Sequence, residues 1–171
     1  GLAALEYRGY DSAGIAVLDP SGDIHIRKES GKLTALVESL NGNFPIGTSG
    51  VGHTRWATHG SPTQPNAHPH TDCSGDLVIV HNGIVENFLI LRERLQNEGH
   101  TFASQTDSEV IAHLLEQLLA EGLSLEDATR RTASSLTGAN AVVVLHRLHP
   151  SSLLAFRLGN AGGLSIGYGE G

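Results

Sequence analysis

Short runs rich in β-branched and apolar residues occur at 13–18, 23–28, 77–81, 141–147 and 153–158, with helical periodicities standing between them. Strands this short cannot bury both faces alone, so they must pair into sheets that helices then cover. The first two runs are joined by Asp19-Pro20-Ser21-Gly22, a turn composition that predicts an antiparallel hairpin. Leu33, Leu36, Val37 and Leu40 share one face at the 3.6 period, and Phe88, Leu91 and Leu95 do the same before Gly99. Thr106-Asp107-Ser108-Glu109 reads as a capping box, with Thr106 as N-cap and Glu109 reaching back. A helix with its apolar face at Val110, Ile111, Leu114, Leu115 and Leu118 is expected to follow, and another from Ser124 to about Leu136. The pattern predicts an α+β domain of antiparallel sheets layered with helices.

At 171 residues the chain suffices for one domain with its own core. A net charge of -7 argues against a nucleic-acid or anionic-membrane surface, either of which needs cations to replace counterions. One cysteine makes no internal disulfide, and no apolar run has the length of a membrane span, so a reducing, cytoplasmic compartment is expected. The opening Gly-Leu-Ala-Ala-Leu-Glu reads as the last turns of a helix, and an upstream segment is expected.

Between Gly42 and Gly75 periodicity fails, and His53, His59, His68, His70 and Trp56 gather there. Polar residues concentrated in a loop-rich stretch point to a site. Within it, a short strand delivers Arg55 to its end, where a guanidinium can grip a carboxylate through two parallel hydrogen bonds. A surface arginine beside a core tryptophan fits the same spacing equally well. Asn82-Gly83 is first of all a two-residue hairpin signal; alternatively the Asn82 amide and the Gly83 N–H form an oxyanion hole. Asp107 complements the helix dipole, or pairs with Arg55 to read both ends of an amino-acid zwitterion. The histidines fit neither a helical i,i+4 pair nor a zinc-finger spacing, so hydrogen-bonded loop histidines and no metal or other cofactor are expected. Cys73 has no neighbour that would depress its pKa and reads as an incidental thiol.

Five strings in register resemble the glutamine:fructose-6-phosphate aminotransferase (glucosamine-6-phosphate synthase) family. They are Leu5-Glu6-Tyr7-Arg8-Gly9-Tyr10-Asp11-Ser12-Ala13-Gly14, His53 through Gly60, Asn66-Ala67-His68-Pro69-His70, His81-Asn82-Gly83-Ile84-Val85-Glu86-Asn87, and Thr106-Asp107-Ser108-Glu109-Val110-Ile111-Ala112-His113. Amidophosphoribosyltransferase, asparagine synthetase and glutamate synthase share the kind of glutaminase domain, but not the first two strings in this form. The resemblance implies an N-terminal-nucleophile hydrolase fold, a four-layer αββα sandwich, here truncated at both ends. Residues 1–171 would be an incomplete glutaminase domain of the class II amidotransferase type, without the parent enzyme's isomerase domains.

The implied chemistry is hydrolysis of the glutamine side-chain amide by an N-terminal cysteine, the released ammonia passing to fructose 6-phosphate on the isomerase domains of a homodimer in amino-sugar synthesis. Carried over to this sequence, the family's roles give Arg55 the α-carboxylate of L-glutamine and Asp107 its α-ammonium, with Thr58 and His59 lining that pocket. Asn82 and Gly83 become the oxyanion hole, Arg8 and Gly9 lie beside the nucleophile, and Trp56 stands near the ammonia exit. No residue of this sequence fits the nucleophile, since the family cysteine would precede Gly1, so the chain alone is expected to be inactive. The stretch 157–163 departs from a Ser-Pro step found in many members. Two alternatives remain: a nucleophile-free glutamine-binding module, or the glutaminase domain of another class II amidotransferase.

Overall fold

The computed structural model describes residues 1–56 and 60–167 and, at Arg8, the backbone only. The chain begins as a 3-10 helix, Leu2–Arg8, so the helical reading of its start holds while the helix type is tighter. Strands β1 (Ser12–Leu18) and β2 (Ile24–Ser30) form the expected hairpin, pairing from Ser12↔Ser30 to Leu18↔Ile24. Helix α1 (Leu33–Leu40) follows, and then β3 (Ser49–Arg55), antiparallel to the other side of β1. The first sheet therefore has the order β2-β1-β3.

The second sheet runs β4-β5-β6-β7, all antiparallel. Its strands are β4 (His70–Thr71), β5 (Leu77–Gly83), β6 (Asn140–His146) and β7 (Leu153–Leu158). Helices α2 (Phe88–Asn97), α3 (Glu109–Ala120) and α4 (Leu125–Ser135) lie between β5 and β6 in the chain. The two-residue β4 carries no period a sequence could show. No described helix is long and apolar enough to cross a membrane.

Three apolar clusters define four layers. Leu36 and Leu40 of α1 pack on Ala13, and Ala16 and Leu18 of the first sheet meet Val78 and Leu145 of the second. Leu77, Ile79, Val142 and Val144 then meet Leu91, Leu95, Val110, Ile111, Leu114, Leu115, Leu125 and Ala128 of the helices. This is the αββα sandwich expected. Alternation explains it: on β5, Leu77 and Ile79 point to the helices while Val78 points to the other sheet, so the strand is apolar throughout.

Three local readings are corrected. The N-cap of α3 is Ser108, with no side-chain cap, and Glu109 does not reach back to Thr106. Its carboxylate instead accepts the Ala103 and Ser104 N–H groups at 2.7 and 2.8 Å and the Ser104 hydroxyl at 2.6 Å. Thr106 Oγ1 is drawn off by Ser104 Oγ at 3.0 Å and His70 Nε2 at 3.1 Å, contacts outside the helix that outcompete a local cap. Asn82-Gly83 makes no hairpin: β5 continues through both, with Asn82↔Ala141 and Gly83↔Asn140 in register. By contrast, α4 starts as read, the Ser124 hydroxyl accepting the Asp127 N–H at 3.1 Å.

Candidate active site

Strand alternation places His53 and Arg55 on one face of β3, and the register sets Arg55 opposite Ser12. The Arg55 side chain is buried (5% exposed), whereas Trp56 is 62% exposed and meets the edge of Tyr10 at 5.4 Å between centroids. The reading of a surface arginine beside a core tryptophan is therefore inverted. Asp11 Oδ1 stands 3.7 Å from Arg55 Nη1, a charge partner that makes burial of the guanidinium tolerable, and is itself fixed by the Ser12 hydroxyl at 2.8 Å. Arg55 Nη2 also donates to the Gly60 carbonyl at 3.3 Å. Gly9 packs so closely that a Cβ there would sit 2.6 Å from the Thr54 oxygen, which seats the 3-10 helix against the end of β3.

From the second sheet come Asn82 and Gly83, at the end of β5. Asn82 Oδ1 and His53 Nε2 are 2.9 Å apart. An amide oxygen only accepts, so the ring hydrogen is on Nε2 and the Asn82 –NH2 hydrogens stay out of this bond. Gly83 has φ +136°, and a Cβ would fall 2.0 Å from the Ala139 oxygen. From the helical layer comes Asp107, just ahead of α3, whose Oδ2 accepts the Val85 N–H at 2.8 Å. Arg55, Trp56, Asn82, Gly83 and Asp107, up to 52 positions apart in the chain, line one cavity of about 110 Å³. A larger cavity of about 700 Å³, with Leu2, Leu5, Val80, Ala141 and Val143 on its walls, shares His53, Thr54, Asn82 and Gly83 with the first.

Behind the pocket runs a chain of neutral hydrogen bonds. Asn140 Oδ1 meets His81 Nε2 at 2.9 Å, so His81 Nδ1 must accept, and the Ser108 hydroxyl donates to it at 2.8 Å. Ser108 Oγ then accepts from His68 Nε2 at 3.3 Å, and His68 Nδ1 accepts the His81 N–H at 3.2 Å. Burial pushes His53, His68 and His81 below the usual imidazole pKa, His68 furthest, because charge there would be poorly solvated. His53 and His68 also stack at 4.3 Å, a contact that disfavours a second charge. His53 and His68 are hydrogen-bonded, as expected, although His53 lies on β3 and not in a loop. The Ser108 hydroxyl, spent as a bridge between two rings, is not a nucleophile.

Of the other expected site residues, Arg8 is placed by its backbone alone, and Thr58 and His59 lie outside the described residues. Cys73 is not an isolated thiol: its Sγ lies 3.5 Å from His113 Nδ1 and 3.8 Å from His100 Nδ1, away from the pocket. Its pKa is raised, chiefly by burial, so it is no activated nucleophile. His53, Thr54, His68, His81, Thr106 and Ser108 also line this cavity, and the sequence assigns none of them an individual role there. For His53 the signals are its place among the clustered histidines and its i,i+2 spacing from Arg55.

Residues 53–159 match the family described as "Glutamine amidotransferase domain". Relatives named glutamine–fructose-6-phosphate aminotransferase [isomerizing] include those of Methanothermobacter thermautotrophicus (49% identical over 98% of this chain), Thermus thermophilus (52% over 100%) and Pyrococcus horikoshii (51% over 99%). The chain spans only 27 to 28% of their lengths. A solved PRPP amidotransferase from B. subtilis superposes over 85% of this chain and 31% of its own, with TM-score 0.70 and 30% identity. A structure described as the allosteric regulatory enzyme of purine biosynthesis does so with TM-score 0.74, at the same coverage and identity. The sandwich is thus of the N-terminal-nucleophile hydrolase type, and the chain belongs to the glutamine amidotransferase domain family.

Proposed function

We propose that the 110 Å³ cavity binds L-glutamine for hydrolysis of its side-chain amide, and that the ammonia aminates fructose 6-phosphate elsewhere in a longer, cytosolic, dimeric protein. One observation carries this reading: a buried guanidinium and a buried carboxylate face one small cavity whose wall holds an amide donor and a glycine. Arg55 takes the α-carboxylate and Asp107 the α-ammonium, which fixes the amino acid by both charges. Asn82 and Gly83 supply N–H donors to the oxyanion formed when a nucleophile attacks the amide carbon. His53 orients Asn82 by holding its oxygen. Thr58 and His59 complete the pocket, Arg8 flanks the nucleophile and Trp56 the ammonia exit. The nucleophile is an N-terminal cysteine thiol supplied by the longer protein.

The test is steady-state kinetics of glutamate release by the full-length protein. Asn82→Ala is expected to lower kcat by about 100-fold or more, roughly 3 kcal/mol, with little change in KM. Arg55→Lys keeps the charge and loses the fork, and is expected to raise KM for glutamine by more than about tenfold. Unchanged kinetics in both variants would overturn the assignment. Tight glutamine binding with no glutamate release would favour a binding module instead.

A further inference from the structure

We infer that Cys73, His100, His113 and Glu116 bind one divalent cation of the zinc type, at a site separate from the glutamine pocket. The four side chains come from three segments: the turn after β4, the turn after α2, and two positions of α3. His113 and Glu116, at i and i+3, share a helix face. Their donor atoms all lie within 4.8 Å of one another. Cys73 Sγ is 3.8 Å from His100 Nδ1 and 3.5 Å from His113 Nδ1, and Glu116 Oε2 is 2.8 and 3.1 Å from those two nitrogens. Metal–ligand lengths of about 2.0–2.3 Å give a tetrahedron with edges of about 3.3–3.8 Å. The two sulfur–nitrogen edges already match, and the two oxygen–nitrogen edges need to widen by only a few tenths of an ångström.

The donor set selects the cation. One sulfur, two imidazole nitrogens and one carboxylate oxygen complete a four-coordinate zinc site, whereas calcium and magnesium want oxygen throughout. The surroundings fit as well. His113 is 1% exposed, and its Nε2 is buried with no hydrogen-bond partner among the described residues. That nitrogen faces Glu109 Oε1 at 3.7 Å, where a carboxylate behind a ligating histidine would stand. Without a cation, three donors crowd Glu116 Oε2: the Cys73 N–H at 3.2 Å and the two imidazoles. A metal ion replaces that crowding with one positive centre, and Cys73, on the exposed side, gives it entry. On loading, the thiol proton passes to solvent as the sulfur–metal bond forms, so affinity rises with pH.

The test uses the full-length protein, stripped with a chelator under reducing conditions and titrated with Zn²⁺ and, separately, Co²⁺. One equivalent of zinc per chain should survive desalting, and Co²⁺ should give tetrahedral absorption with a sulfur-to-cobalt charge-transfer band. Cys73→Ser should abolish that band, and both Cys73→Ser and Glu116→Gln should weaken zinc by at least about tenfold. Neither change cuts into the apolar core, and circular dichroism confirms that the variants are folded. Absence of stoichiometric zinc, or wild-type affinity in folded Cys73→Ser, would overturn the assignment and leave a hydrogen-bonded cluster only. Neither readout depends on glutamine.

Discussion

Two glycines separate backbone conformation from crowding at the level of single residues. Gly83 and Gly99 both have positive φ, +136° and +99°, but only at Gly83 would a Cβ strike something, the Ala139 oxygen at 2.0 Å. Gly99→Ala should cost only the strained backbone, of order 1–2 kcal/mol, whereas Gly83→Ala adds a displacement of β5 against its neighbour and should cost more. Urea unfolding of the two variants checks this: equal midpoints would mean that the close approach at Gly83 carries no energy. Because Gly83 also walls the pocket, the glutaminase activity proposed for the full-length protein should be lost in its variant and kept in Gly99→Ala. Arg55 and Asp107 are legible in the sequence as charged residues in suggestive settings, yet their convergence is not, since 52 positions of chain separate them and no periodicity spans such a gap. Family resemblance, not spacing, singles them out. Cys73 reads as incidental for the same reason: its partners lie 27, 40 and 43 positions away.

Among the elements, α3 shows how far a local signal can mislead. The sequence places an acid three residues after a threonine, and the capping box follows from that alone. What wins is the strand of backbone at 103–104, whose N–H groups fold onto Glu109. Although burial works against its charge, the His113 ring 3.7 Å away, the Ser104 hydroxyl and those two amides hold Glu109 down to about 2. A depressed carboxyl favours the fold above its unfolded pKa and loses that contribution as pH falls. Acid unfolding should therefore steepen between the ordinary carboxyl value of 4.5 and about 2. Glu109→Gln should cost roughly 2–4 kcal/mol at neutral pH and flatten that limb, measured as the pH dependence of the urea midpoint. The strand runs, in contrast, are readable to within a residue or two: β5 and β6, buried on both faces, show as continuous apolar runs, and β2 and β7 as alternation with one half-buried face.

The molecule as a whole carries a second acid sensitivity. His53, His68 and His81 titrate below 6.5 when folded and near it when unfolded, so the unfolded chain binds more protons as pH drops. Each ring that stays neutral should remove up to about 1.4 kcal/mol of stability per pH unit below 6.5. His113 has the opposite sign: burial opposes its charge, but Glu109 and Glu116 raise its pKa, so its contribution is full below 6.5 and fades at higher pH. Thermal midpoints from pH 7 to 5 should fall in the parent protein and fall less in His81→Gln, and parallel curves would refute the account. His53, His68 and His81 are linked through side chains of β3, β5, β6 and the start of α3, a convergence that a one-dimensional reading does not show.

The bond between His53 and Asn82 joins the two sheets at the cavity wall, one partner on β3 and the other on β5. The cavity is therefore a seam between two panels. If the sheets slide over one another, the Asn82 amide swings with them, and the hydrolysis proposed for this cavity should stop before either panel has begun to melt.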